Sequence, residues 1–374
     1  MKNFKSLGLI TATLFTASIA LTACGSGSGT KSASSPAPSA AATAAATTTA
    51  AASTTPKADG GKVTLTIGAY SILKDSLDQI IPKFKEDWKK KTGQTVEFQE
   101  SYVASGSQAT AIIQGFEADI APLSLEGDIQ KIVEKGLITH DWKNNKYKGF
   151  ITGSIAAIGV REGNPKGIKD WSDLTKPGVE VLIPNPSTSG GAKWDINAVY
   201  GAGLKTSEAA GKQDPAVAKD LLSKIYKNIK VLDKSGADSL TTFDKGVGDA
   251  IITYENELVA RIQSGKKYVE VIPPYTTSIE NPVALIDKYV DKHGNREVAQ
   301  GFLDYLYTPE AQKVFADKGF RSVLPEVAKQ YEKNYTTPAG LFNIEYLGGW
   351  DKVNKELYGK GAIWETILAE GGAK

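Results

Sequence analysis

The chain has 374 residues and a near-even charge balance, 44 Lys and Arg against 42 Asp and Glu, for a formal net charge of +2. No basic excess exists to displace counterions from a polyanion, which argues against a nucleic-acid binder held by charge. One Cys and two His, His140 and His293, leave no disulfide framework, no Cys-rich zinc site and little for His-based catalysis, whereas 37 Gly suit binding better than turnover.

Lys2 and Lys5 precede an apolar run from Leu7 to Leu21, too short for a stable bilayer span and the right length for a signal-peptide core. The run ends in Leu21-Thr22-Ala23-Cys24 with Gly25 following, which resembles the lipobox of bacterial lipoproteins, where the cysteine becomes the lipidated first residue. Residues 1–23 are therefore expected to be a lipoprotein signal peptide, with Cys24 the lipidation site. Their removal takes two lysines and no acids from a net +2 and leaves a formal charge of zero. From Gly25 to Gly61 the chain is Ala/Ser/Thr with scattered Pro and no Val, Ile, Leu or aromatic residue. Such a segment cannot bury enough apolar surface to offset ordering, so 24–61 reads as the lipidated Cys and a disordered tether reaching at most about 120 Å. No later run approaches the roughly 20 apolar residues of a transmembrane helix. The expected location is extracytoplasmic, on the periplasmic side or the cell surface, held to the membrane by lipid alone.

From residue 62 onward, strand and helix patterns alternate. Val63 to Ala69 has period two, and Leu77, Ile80, Ile81, Phe84 and Trp88 recur at helical spacing. Thr95 to Phe98 is a second strand, which completes a βαβ opening and favours a mostly parallel sheet flanked by helices. Later pieces are strands at Val179–Ile183, Val231–Leu232 and Asp249–Tyr254 and a helix from Gly190 to Tyr200. About 313 residues exceed one comfortable core, so two α/β lobes are expected. The apolar stretches Ile151–Val160 and Pro282–Ile286 are candidates for strands that cross between them. The lobes are placed at 62–152 with 283–374, which brings in the C-terminal helices, and at 153–282.

Four turns between strand and helix carry small or polar residues. Ser105-Gly106-Ser107-Gln108 opens a helical pattern, and Ser105 with Gln108 fits a capping box. Asn185-Pro186-Ser187-Thr188-Ser189-Gly190-Gly191 opens another. Two glycines at a helix start cost about 1 kcal/mol each relative to Ala. They make sense where something must approach the backbone N–H groups, and the positive end of a helix dipole favours an anion there. Ser235-Gly236-Ala237-Asp238 and Tyr254-Glu255-Asn256-Glu257 are the third and fourth turns. Together they suit a cleft between two lobes, where ligands collect at the carboxyl ends of parallel strands. Glu126 and Asp128, at the head of the helix running to Glu134, read as capping and dipole partners.

The folded region is similar, over nearly all of 62–374, to the bacterial sulfate-binding proteins, solute receptors of ABC importers. The stretches that carry the resemblance include Ser105-Gly-Ser-Gln-Ala-Thr110, Arg161 to Gly167 with Asp170 to Gly178, Asn185-Pro-Ser-Thr-Ser-Gly-Gly-Ala-Lys-Trp194, Gly248-Asp249 with Tyr254-Glu-Asn-Glu257, Tyr305 to Gln312, and Gly348-Gly-Trp350. The resemblance implies a two-lobed type II binding-protein fold, each lobe a mostly parallel sheet flanked by helices, with a dehydrated sulfate dianion between the lobes and no charged side chain touching it. Carried over by position, the donors are Ser105 with Gly106, then Ser189, Gly190 and Gly191, then the Ala237 N–H. The family's tryptophan donor is Tyr254 here, and an aspartate after the first strand is Ser71. Both departures look like molybdate-binding proteins of the same superfamily.

The expected site is therefore Ser71, Ser105, Gly106, Ser189, Gly190, Gly191, Ala237 and Tyr254, lining a cleft of donors only. Asp238 and Glu255 are expected to face away from the anion. A buried site without an acceptor disfavours hydrogen phosphate by about 1–3 kcal/mol, because its O–H finds no partner. The function implied is capture of sulfate and delivery to an ABC permease and its ATPase, by a monomer without metal, cofactor, nucleic-acid partner or catalytic residue. Molybdate, tungstate or thiosulfate reception is the alternative within the fold, and a surface anion-binding protein without a transporter the alternative outside it. A secreted hydrolase is disfavoured because the chain has no G-x-S-x-G elbow, no H-E-x-x-H pair and no P-loop.

Overall fold

The computed structural model describes residues 61–371. The expected signal peptide, Cys24 and all of the tether up to Gly60 lie outside the described residues. The first strand, β1 (Lys62–Tyr70), runs through a short turn at Ser71–Leu73 into α1 (Lys74–Thr92), which buries Leu77, Ile80, Ile81 and Phe84 as its spacing predicts. Gly93 ends that helix with φ 79°, the left-handed turn that glycine adopts without strain. β2 (Thr95–Val103) returns parallel to β1, and α2 (Ser105–Ile113), β3 (Ile120–Pro122) and α3 (Glu126–Glu134) complete the first half.

The second half is built the same way. β4 (Phe150–Val160) enters it, followed by β5 (Val181–Pro184), α4 (Gly190–Ala209), α5 (Pro215–Asn228), β6 (Ile229–Asp233), α6 (Gly236–Asp244), β7 (Ala250–Tyr254), α7 (Glu255–Gln263) and the short β8 (Val269–Val271). β9 (Tyr275–Leu285) leaves it. The strands lie in the order β2-β1-β3-β9-β4-β7-β5-β6. In each half the strands other than the crossing ones pair mostly parallel, β1 with β2 and β3, β5 with β6 and β7, while β4 pairs antiparallel with β7 and β8.

The long strands β4 and β9 join the halves. They pair with each other antiparallel, from Phe150 opposite Pro282 to Ile155 opposite Ser278. Beyond that stretch β9 pairs with β3, and β4 pairs with β7 and β8. The expected crossing at Ile151–Val160 is β4. The other crossing strand begins seven residues before the expected Pro282, because Tyr275-Thr-Thr-Ser-Ile-Glu-Asn281 is polar in composition yet packs as extended chain with Thr276, Thr277 and Asn281 buried.

Helices follow at Asp287–His293, Arg296–Leu306 and Pro309–Asp317, and the latter two add Phe302, Leu306 and Phe315 to the core of the first half. The last stretch departs from its expected place. Residues 340–367 were assigned with 283–374 to the first lobe, but Phe342, Leu347, Trp350, Trp364 and Ile367 join the core of the second half. Trp350 meets Trp194 edge-on at 4.8 Å, and Trp364 meets Tyr226 at 5.5 Å. Their large apolar surfaces fill the outer side of α4 and α5, a contact that helical periodicity alone does not reveal.

Candidate functional site: a small cavity at four helix starts

Four helices begin where a strand of one half ends, α2 after β2, α4 after β5, α6 after β6 and α7 after β7. Their first N–H groups have no partner inside the helix, and each helix presents the positive end of its dipole. Between them lies a small cavity, in which the centre of a water-sized sphere has about 20 Å³ of room. Ser71, Ser105, Ser189, Gly191 and Tyr254 line it, together with Gly236.

Three expected residues stand off the wall. Gly106 and Gly190 border a neighbouring groove, and Ala237 borders an outer groove on the other side. At the third turn Gly236 takes the place expected of Ala237, because α6 begins at Gly236 and its N–H comes first. Gly106 and Gly190 lie where the two halves approach closely. A Cβ on Gly190 would sit 2.3 Å from Ser124 Oγ and 2.7 Å from Leu125 Cδ2, and one on Gly106 would sit 2.9 Å from the Thr188 carbonyl oxygen. Both contacts run between the two halves. Two hydrogen bonds span the same seam, Ser107 N–H to Thr188 O at 3.2 Å and Trp194 Nε1–H to Ser124 O at 2.8 Å.

The serines differ in what they have left to give. Ser189 caps α4, its Oγ accepting from Ala192 N–H at 3.3 Å, so its own proton stays available. Ser105 does not cap α2. Ala104 holds that position without a side-chain bond, and Gln108 instead accepts from Ser101. Ser105 Oγ donates to Asp128 Oδ2 at 2.7 Å and accepts from Ser124 N–H at 3.0 Å, so its hydroxyl is committed. Asp128 also accepts from Lys131, which makes it the anchor of Ser105 rather than the side-chain cap of α3.

Five buried polar atoms of residues on the cavity wall make no hydrogen bond of good geometry, Tyr70 Oη beside Thr152, Tyr254 Oη and Ser124 Oγ beside each other, Asp195 Oδ1 and Glu257 Oε1. Buried polar groups are almost always satisfied, so five orphans around one small cavity point to a polar occupant. Burial, with the charge of Glu257 beside both phenols, pushes Tyr70 and Tyr254 well above the usual phenol range. Both therefore stay neutral O–H donors.

The expectation of donors only is corrected here. Asp238 and Glu255 do turn away, Asp238 accepting from Ser235 Oγ at 2.8 Å and Glu255 taking two bonds from Arg321. Two other carboxyls line the cavity instead. Asp195 lies one helical turn after Gly191, on the same side of α4, and Glu257 accepts from Thr253 Oγ1 within the first turn of α7. The spacing from Gly191 to Asp195 could have revealed the first. Tyr70, Ser124 and Thr253 carry no local signature, because the sheet brings them together from distant points of the chain.

Burial pushes Glu257 up to about 7 against the pull of Arg261 and the Tyr254 N–H. Burial, and then the charge of Glu257, push Asp195 well above the usual carboxylate range. Among the described residues, no group of three or more His, Cys, Asp or Glu is placed to hold a metal ion, and no helix is long and apolar enough to cross a membrane.

The chain matches the family model described as bacterial extracellular solute-binding protein over residues 65–321. It is 43% identical over 310 residues to a protein named sulfate-binding protein in Synechococcus elongatus, covering 82% of this chain and 87% of that one. It is 32% identical over 312 residues to the thiosulfate-binding protein of Escherichia coli, covering 81% of this chain and 90% of that one. Among solved structures, the sulfate-binding protein SubI of Mycobacterium tuberculosis aligns with a TM-score of 0.73 at 34% identity, over 79% of this chain and all of that one. With the two halves, the crossing strands and the cavity of helix starts in place, the chain belongs to the sulfate-binding proteins of the bacterial extracellular solute-binding family.

Proposed function

We propose that the protein captures sulfate in the cavity between its halves and delivers it, as a lipid-anchored monomer, to an ABC permease and its ATPase. The observation that carries this reading is the small cavity itself, ringed by the starts of α2, α4, α6 and α7. The N–H groups of Ser105, Gly191 and Gly236, with the hydroxyls of Ser71, Ser189 and Tyr254, are the proposed donors. Such donors spread a dianion's charge over several dipoles without a salt bridge. Charge-assisted hydrogen bonds are roughly twice as strong as neutral ones. Because the donors come from both halves, bound anion favours the closed arrangement.

The proposed lobes are 62–152 with the helices up to residue 331, and 153–282 with the final stretch from 340. Cys24 is the proposed anchor, and Cys24→Ser should move the protein from the membrane fraction to the medium or periplasm. Retention in the membrane would place the anchor elsewhere. The ligand is tested by calorimetric titration after exhaustive dialysis, with sulfate, thiosulfate, molybdate and phosphate compared near pH 6.5. Heat with sulfate and none with phosphate supports the reading, and silence toward all four rejects it. Preference for molybdate would make Ser71 and Tyr254, both on the cavity wall, the residues that set the ligand.

A further inference from the structure

Asp195 and Glu257 are a cost to any site for a dianion, and their placement shows how that cost is met. Each has one carboxyl oxygen that is buried without a hydrogen-bond partner, and both line the cavity where the anion is proposed to lie. Ionised, they would face a second anion in a region closed to water, where repulsion is weakly screened. Protonated, a carboxyl presents an O–H and becomes one more donor.

Glu257 also has a way out. It borders the cavity on one side and, on the other, an outer groove lined by Ser71, Lys74, Asp75, Arg261 and Lys318. Asp195 borders the cavity alone of these two. The outer groove gives a proton a route to Glu257 from solvent while the halves stay closed.

We propose that Glu257 is the proton-exchanging member of a buried acid pair with Asp195, so that the protein takes up a proton as it takes up its dianion. The inference rests on the oxyanion reading above. The groups facing Glu257 are Asp195 from α4, Tyr70 from the end of β1, Tyr254 from the end of β7, Arg261 from α7 itself, and Lys74, Asp75 and Lys318 across the outer groove. Asp195 further faces Tyr358, whose hydroxyl is spent on Lys193 O and Asn197. In the free protein Glu257 titrates at about 7 because of its burial. A dianion beside it raises that value further, so the anion-bound state holds more protons than the free state. Affinity is then greatest below pH 7 and falls as pH rises, by up to about tenfold per pH unit while one proton must be taken up.

The test is calorimetric titration of the detergent-solubilised full chain with sulfate from pH 6 to 9, at each pH in two buffers of different ionisation heat. About one proton taken up per sulfate near pH 8, with affinity about tenfold weaker at pH 8.5 than at 7.5, is the expected result. Glu257→Gln, which keeps shape and stays neutral, should bind sulfate with flat affinity and no proton uptake. If it does not fold, the two-buffer measurement on the unmodified chain still decides. Sulfate binding with no proton exchange and flat affinity overturns the inference and leaves the sulfate reading intact. Proton uptake that persists in Glu257→Gln removes Glu257 from the role. No sulfate binding at any pH overturns both.

Discussion

Asp287 and Glu257 are both buried carboxyls, and the molecule treats them in opposite ways. Asp287 accepts from Thr139 N–H at 2.7 Å, from His140 through its N–H and its ring, and from Arg296 at 2.8 Å. Burial alone would raise it, but these donors outweigh burial and hold it well below the usual carboxylate range. Asp119 is served by Thr66 N–H and His293, and Glu255 by a two-point contact with Arg321. At the cavity the pattern reverses, since Asp195 Oδ1 and Glu257 Oε1 have nothing to accept from. Asp287, the best served of these, is held ionised, whereas burial pushes Asp195 and Glu257 toward the neutral form.

The comparison breaks most visibly at Arg321. Arg321→Ala strips Glu255 of both side-chain bonds in a fully buried position and should cost about 3–5 kcal/mol in denaturant unfolding. Glu257→Gln should cost little, because it removes no ion pair. Equal losses in the two variants would erase the distinction. Next in size is Gly190→Ala, whose new Cβ meets Ser124 Oγ and Leu125 across the seam. It should weaken sulfate binding by about tenfold to a hundredfold while the anion-free protein melts unchanged. A lowered melting temperature with normal affinity would mean the contact serves folding, not closure.

Tyr254→Phe removes one uncommitted donor and should weaken binding by about tenfold. Unchanged affinity would take Tyr254 out of the site. The smallest effect concerns His293, on the paired side of the comparison. Burial pulls its pKa down, but hydrogen bonds to Asp119 and Glu117 outweigh burial and raise it. A raised folded-state pKa gives stability that is complete below the ordinary His value of about 6.5 and is lost as pH rises through the folded value. The expected loss between pH 6 and 9 is about 1 kcal/mol or less for this partly exposed group, and His293→Asn should flatten it. An unchanged slope in the variant would assign the effect to another group.

Most of the scaffold was legible because strand and helix periods are local. Val63–Ala69, Gly190 onward and Asp249–Tyr254 all fall on observed elements, although α4 runs on to Ala209 because Ala202 and Leu204 continue its buried side. The start of β9 was hidden by its threonines, which are buried by the sheet around them. Ser105, Ser189, Gly191 and Tyr254 are singled out in sequence because helix starts after strands have a chemical signature, and they line one cavity. Gly236 rather than Ala237 lines the cavity, and the first residue of a helix cannot be fixed to one place from sequence. Asp195 and Glu257 were missed for a different reason. Their role depends on the absence of partners, and absence of a partner is a property of the packed molecule.

The central claim is that a tetrahedral dianion sits where the starts of α2, α4, α6 and α7 converge. The most direct test is a crystal grown without sulfate, soaked in selenate, and measured at the selenium absorption edge. The account predicts one strong anomalous peak inside the cavity, within hydrogen-bond distance of the Gly191 and Gly236 N–H groups and of Tyr254 Oη. An empty cavity, or a peak only in the groove beside Lys131 and Lys193, would contradict it.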